Sequence, residues 1–202
     1  MDPRQAIELG KQHGAVMVDL KFIDLVGKWQ HTSVPFHRLA LESFEGGFGF
    51  DGSSIRGFQP IHQSDMLLIP DAGSAVMDPF TKHPTISLLC TVQDTLTRQS
   101  YSRDPRYIAK KAEAYLKSTG IADTAFFGPE AEFFIFDDVR FHAGKHEAFY
   151  SIDSIEAEWN SARDEGPNLA HKIRHKEGYF PVQPQDTQQD LRTEICLEME
   201  KV

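Results

Sequence analysis

The chain has 202 residues, 40% hydrophobic and 11% aromatic, enough for one generous core or two small ones. Thirty acidic side chains against twenty-one basic ones leave a formal charge of −9. This balance repels nucleic acid and anionic lipid over most of the surface, and points to small molecules or other proteins as partners. The polar amino terminus has no apolar signal core, and no stretch approaches the ~20 apolar residues of a membrane helix. Cys90 and Cys196 lie in unrelated apolar patterns without CxxC spacing. A soluble, cytoplasmic protein with buried thiols and no disulfide framework is expected.

In chain order, Asp2-Pro3 ahead of RQAIELGKQHG predicts a capped helix that stops between Gly10 and Gly14. AVMVDLKFIDLVGKWQHTSVP alternates apolar and polar residues on both sides of Val26-Gly27, the pattern of a half-buried antiparallel pair. PFHRLALESF is helix-like, and DMLLIPD and TISLLCTVQD read as short strands split by the turn-rich DAGSAVMDPFTKHP. Ala15 to Asp94 is therefore expected to form a small α+β domain.

Near residue 95 the composition shifts. TLTRQSYSRDPR is polar and bare of core residues, so it reads as a linker, and Asp104-Pro105 then caps a helix over RYIAKKAEAYLKSTG closed by Gly120. Ile108, Ala112, Tyr115 and Leu116 fall on one face of that helix. A strand over AFFGPEAEFFIFDD follows, then a polar, patternless loop over residues 139–170 whose length hints at function. DTQQDLRTEICLEMEKV predicts a helix capped at Asp186 or Thr187, with Leu191, Ile195, Met199 and Val202 at helical spacing. It carries no stop signal, so the polypeptide is expected to be the front part of something longer. The sequence shows no internal repeat or low-complexity tract.

Glu130 and Glu132 are the first candidates for chemistry. On a strand, residues two apart share a face and lie roughly 6.6 Å apart, which puts Gly128, Glu130, Glu132, Phe134 and Phe136 together. Two carboxylates beside buried phenylalanines call for cations or for protonation. Hard divalent ions such as Mg²⁺ or Mn²⁺ take carboxylate oxygens, and this spacing lets each glutamate serve a different ion. An edge strand with its charged face in water, or pairing with arginines, explains the same spacing.

The second candidate is GGFGFDGSSIRGF, residues 46–58, where glycines around Asp51, Ser53 and Ser54 let an acid and two hydroxyls approach a ligand. It fits neither a Walker loop nor GxGxxG, and a turn in which Asp51 bonds its own backbone is the alternative. His171 and His175 have helical metal-ligand spacing, but their lysine and arginine neighbours and the following Gly-Tyr-Phe-Pro point to a solvated basic loop.

VDLKFIDLVGKWQHTSVP, GFGFDGSSIRGFQPIHQSDMLLIPD, FFGPEAEFFIFD, GYFPVQPQD and DLRTEICLEMEKV occur in that order. Together they resemble the front part of bacterial-type glutamine synthetase over nearly the whole chain. FDGSSIRGF and GPExEFF carry the most specificity. The resemblance implies an α+β fold: a β-grasp amino-terminal domain over residues 1–103, then over residues 104–202 the first part of a catalytic domain built on a curved antiparallel sheet with helices. It implies ATP-dependent ligation of ammonium to the side-chain carboxylate of L-glutamate through γ-glutamyl phosphate. Glu130 would then ligate the ion at the ATP phosphates and Glu132 the ion nearer glutamate, with at least two Mg²⁺ or Mn²⁺ ions per site.

By the same resemblance Asp51 binds and deprotonates ammonium in a neighbouring subunit's site, within a homo-oligomer of two stacked six-membered rings. Ser54 lies in the same loop. Phe58 stands where many members have a tryptophan that helps close the neighbour's site, and Tyr179 belongs to the GYFP stretch that borders the nucleotide. Glu177 and Gln183 depart from the commoner KGGYFPVPPxD pattern. The family's further metal-binding glutamates, ligand histidine and phosphate-binding arginines lie beyond these 202 residues, so the chain by itself is expected to be inactive. A ligase that joins glutamate to a larger amine shares much of this pattern. Retention of FDGSS favours ammonia. A non-catalytic, synthetase-like assembly or regulatory protein has no physical reason to keep Asp51 and both glutamates.

Overall fold

The computed structural model describes residues 1–160 and 172–202. The last residue aside, it divides into two compact units, Met1–Phe127 and Gly128–Lys201. No helix among the described residues is long and apolar enough to cross a membrane.

The first unit opens with α1, Pro3–Gln12. Asp2 accepts the Gln5 N–H at 2.9 Å, and the Gln5 side chain accepts the Asp2 N–H at 2.8 Å. This capping box starts the helix where the sequence predicts. Strands β1, Met17–Ile23, and β2, Trp29–Pro35, form the expected antiparallel hairpin. Asp24 shapes its turn by accepting the N–H groups of Val26 and Lys28 at 3.0 and 2.9 Å and the Gln30 amide at 3.1 Å. PFHRLALESF yields a 3-10 turn at Phe36–Arg38 and the one-turn helix α2, Ser43–Gly46.

Then come β3, Phe48–Asp51, β4, Asp65–Pro70, β5, Val76–Met77, and β6, Thr85–Asp94. The strand order is β2-β1-β6-β4-β3, with β5 also on β6. β1 and β6 run parallel, and the remaining pairs are antiparallel. Val18 and Leu20 lie beside Ile86 and Leu88, all four without exposed surface. At about 1.5–3 kcal/mol for each buried side chain of this size, that patch is a substantial part of a core that also holds Phe22, Phe58, Met66, Leu68 and Val92. Ala6 and Gly10 form the buried face of α1. The result is a β-grasp, one helix held against a mixed sheet.

The polar stretch before the next helix is not a free linker. Tyr101 is buried and Asp104 has no exposed surface. The Tyr101 N–H donates to the Val92 carbonyl at 2.8 Å, and Asp104 accepts the Val92 N–H at 2.9 Å. Two buried side chains in a hydrophilic run escape any reading based on average polarity. Asp104 also caps α3, Pro105–Ser118, and Gly120 follows at φ +70°, both as expected. The anticipated apolar face of α3 is open, with Ile108 and Tyr115 exposed.

In the second unit the glutamate segment forms no strand. Residues 128–136 have no ladder partner among the described residues, and Phe133, Phe134 and Phe136 are exposed. Strand propensity without a partner to take up main-chain N–H and C=O groups does not make a sheet. Two strands stand instead inside the stretch expected to be a loop: β7, Asp138–Ala143, and β8, Ala148–Asp153, an antiparallel hairpin. Its signal was the alternation through Val139 and Phe141 around a turn closed by the Gly144 N–H on the Glu147 carbonyl at 2.8 Å. Residues 161–170 of that stretch, and His171, lie outside the described residues; His175 sits in an exposed turn.

The last helix, α4, spans Gln189–Met199. Its N-cap is Gln188, with no side-chain cap bond, rather than Asp186 or Thr187; Asp186 accepts the Gln188 N–H at 3.1 Å and both Arg192 Nη groups at 3.0 and 2.5 Å. Thr187 gives its N–H and hydroxyl to Glu156 at 2.9 and 2.5 Å. Of the two thiols, Cys90 is buried as expected, whereas Cys196 on α4 is exposed.

Candidate functional site

β3 pairs with β4 so that Asp51 lies opposite Asp65 at the strand end. The chain then turns through a 3-10 turn at Gly52–Ser54. A Cβ at 52 would stand 2.4 Å from the Met66 sulfur, so any larger residue there would force the buried Met66 side chain to move. The Gly52 N–H donates to the Ser64 carbonyl at 2.7 Å, fixing the turn to the start of β4.

Asp51 is exposed and heavily hydrogen-bonded. One carboxylate oxygen accepts the Ser53 hydroxyl at 2.6 Å and the Ser53 N–H at 2.9 Å; the other accepts the Ser54 hydroxyl at 2.6 Å. The Ser53 and Ser54 hydroxyls, then the Ser53 amide, hold the carboxyl below its ordinary value. The backbone bond proposed as the alternative reading is therefore present, and it leaves an ionised, solvent-facing carboxylate.

Phe58 belongs to the core. Its ring is 2% exposed and packs 6.4 Å from the Phe22 centroid and 5.2 Å, edge-on, from that of Tyr101. The ring sets where the loop begun at Asp51 must end.

In the second unit, a groove of about 1090 Å³ is lined by Glu132, Phe134, Trp159, Tyr179 and Arg192, among others. Glu132 and Tyr179, far apart in sequence, thus share one surface. Tyr179 is 87% exposed and meets Phe180 edge-on at 4.5 Å. Glu130 and Glu132 are exposed and make no hydrogen bond or ion pair among the described residues. Phe134 and Phe136 stack at 5.8 Å, as residues two apart on one side of a chain do. The two glutamates supply the hard oxygen donors that a divalent cation takes, although no group of three or more potential ligands is gathered among the described residues. The donor chemistry fits such an ion; the set is partial.

Sequence reasoning singled out Asp51, Ser54, Glu130, Glu132 and Tyr179; it read Asp104 only as a helix cap and overlooked Tyr101 and Arg103, which with Asp104 hold the Asp51 loop and its sheet. An aromatic residue inside SYSRDP was the one available signal.

Two family models match in succession: the β-grasp domain of glutamine synthetase over residues 14–95 and the glutamine synthetase catalytic domain over residues 102–202. A glutamine synthetase of Microchaete diplosiphon is 53% identical over 197 residues, 98% of this chain and 42% of that protein. One of Escherichia coli K12 is 49% identical over 203 residues, covering all of this chain and 43% of its own length. A cryo-EM structure of Plasmodium falciparum glutamine synthetase superposes over the whole chain with a TM-score of 0.82 at 22% identity, covering 40% of that protein. The chain spans about two fifths of the length of these relatives.

Proposed function

As this chain belongs to the glutamine synthetase family, we propose that it supplies the ammonium-binding loop and the first metal-binding carboxylates of a cytoplasmic ligase that joins ammonium to the side chain of L-glutamate at the expense of ATP. The observation that carries this reading is the ordered pair of family matches, which between them take in the Asp51 loop and the Glu130–Glu132 segment. We assign residues 1–103 to the amino-terminal domain and residues 104–202 to the first part of the catalytic domain.

In the reaction, the γ-phosphoryl group of ATP passes to the glutamate carboxylate and ADP leaves; ammonia then attacks the acyl carbon and expels inorganic phosphate, giving glutamine. Asp51 is suited to the ammonium cation, since the Ser53 and Ser54 hydroxyls favour its charged form and hold the carboxyl below its ordinary value. The same hydrogen bonds make it a weak base. A proton it takes from ammonium therefore passes on to solvent water, which the exposed carboxylate faces. Ser54 orients the carboxylate. Glu130 and Glu132 would hold the divalent ions, Mg²⁺ or Mn²⁺, which when bound neutralise charge on the phosphoryl oxygens. Tyr179 offers an exposed ring to border the nucleotide, and Phe58 anchors the loop from behind. A homo-oligomer of two six-membered rings, with Asp51 serving a neighbouring site, completes the proposal.

The test is a chimera in which residues 1–202 replace the matching segment of the Escherichia coli relative, assayed for glutamine and phosphate with ATP, glutamate, ammonium and Mg²⁺. Ammonium-dependent glutamine formation is expected, and none from the 202-residue chain alone. A folded, assembled chimera that uses only larger amines, or none, overturns the reading.

A further inference from the structure

The loop that presents Asp51 is tied down at its far end by residues from outside it. The Tyr101 hydroxyl donates to the Phe58 carbonyl at 2.7 Å. Arg103 Nη1 donates to the carbonyls of Gly57 at 2.8 Å and Phe58 at 2.9 Å. Both lone-pair regions of the Phe58 carbonyl are thus engaged, and the neighbouring carbonyl is held by the same guanidinium. Gly57 is at φ +84°, a conformation open to glycine; it aims these carbonyls while the Phe58 ring enters the core. Within the loop, the Gly52 carbonyl accepts the N–H groups of Ile55 at 3.2 Å and Gln59 at 3.4 Å. The fixed end at 57–58 therefore connects to the turn that carries Ser53 and Ser54.

The two donors are themselves fixed. Tyr101 and Asp104, which flank Arg103, are pinned to Val92 near the end of β6, and the Asp104 N–H donates to the Tyr101 carbonyl at 3.1 Å. Residues 101–104 form a rigid bracket between the sheet and the loop.

We propose that Tyr101 and Arg103 are positioning residues for ammonium use: they hold carbonyls 57 and 58 so that the turn bearing Ser53 and Ser54 keeps the Asp51 carboxylate in place. This rests on the reading of Asp51 as the ammonium-binding group. Neither residue touches substrate. Their influence runs through the loop and is confined to the substrate that Asp51 meets.

The test uses Tyr101→Phe, which removes one hydroxyl and keeps the buried ring, and Arg103→Met, which keeps a long aliphatic stem and removes the N–H donors to both carbonyls. Amide hydrogen exchange is followed at residues 52–59 of the chain, and ammonium, glutamate and ATP kinetics in the chimera described above, with Asp51→Asn as the reference. Loss of one such hydrogen bond is expected to speed exchange across the loop and raise the KM for ammonium about three- to tenfold, with kcat and the KM values for ATP and glutamate unchanged within about twofold. Unchanged exchange in both variants overturns the bracket. Faster exchange with an unchanged ammonium KM, while Asp51→Asn raises it, overturns the link from bracket to substrate. If Asp51→Asn itself leaves the ammonium KM unchanged, the underlying reading of Asp51 fails and the catalytic part of this proposal falls with it; the exchange data then decide the bracket alone.

Discussion

Asp104 and Val92 share a hydrogen bond that joins helix to sheet: the Val92 N–H, near the end of β6, donates to one Asp104 oxygen at 2.9 Å, while the other oxygen caps α3 through the Arg106 N–H at 2.9 Å. One fully buried side chain thus satisfies two main-chain donors. Asp104→Ala is expected to destabilise the first unit by about 2–4 kcal/mol, combining a lost cap with an unpaired buried N–H. Urea unfolding followed by circular dichroism measures this. A change below about 0.5 kcal/mol would mean that the buried donor finds another partner.

Asp104 and Asp71 should respond oppositely to pH. Burial pushes the Asp104 carboxyl above its ordinary value, against the pull of its N–H donors. Its contribution is therefore complete below the unfolded value and is lost as pH rises through the folded one. Burial also opposes charge on Asp71, but the Arg106 guanidinium at 2.6 Å, the Gly73 N–H and Lys110 outweigh it and hold the carboxyl low. That contribution is present above the unfolded value and disappears as pH falls through the folded one. Urea midpoints measured from about pH 3 to 7, either side of the ordinary carboxylate range, should show Asp104→Asn flattening the loss on the alkaline side and Asp71→Asn the loss on the acid side.

The two thiols should differ sharply in reactivity. Cys90 is 1% exposed, and burial pushes its thiol up to about 12, whereas Cys196 is open to solvent. An aromatic disulfide reagent at neutral pH is expected to modify Cys196 in the native chain and Cys90 only after denaturation. Labelling of both thiols in the native state, located by peptide mass mapping, would show that β6 opens readily.

Glu132→Ala separates a metal-binding role from a structural one. Its side chain is exposed and unpaired among the described residues, so the unfolding free energy of the chain, from urea denaturation, should stay within about 0.5 kcal/mol. Glutamine formation by the chimera should fall by about 100-fold or more if the carboxylate holds an ion at the transferring phosphoryl group. Unchanged turnover would remove Glu132 from the reaction.

Much of the first unit was legible because its signals are local. Asp2 and Asp104 before prolines announce helix starts, and the alternation through Val18, Leu20 and Phe22 announces a half-buried strand. The parallel pairing of β1 with β6 was not legible, because parallel register depends on partners distant in sequence. β3 was hidden by its glycine, and β7–β8 by a polar composition that masked a clean alternation. The opposite error occurred at residues 128–136, where strong β propensity stood in for pairing that the described residues do not provide. At the candidate site, Asp51 and the two glutamates were singled out by motif. Tyr101 and Arg103 were missed because a side chain that binds a distant carbonyl leaves no periodic trace.

The parallel contact between β1 and β6 also sets an order of events during synthesis. The β1–β2 hairpin can emerge and close early, yet Val18 and Leu20 have no neighbours at Ile86 and Leu88 until the ribosome has made β6. At ~5–20 residues per second, the nascent hairpin carries an uncovered apolar side for several seconds. The Asp104 latch on Val92 arrives later still. The amino-terminal unit therefore cannot close from its beginning forward; it is sealed from its far end, and a translational pause before residue 104 would leave it open to chaperones and to neighbouring nascent chains.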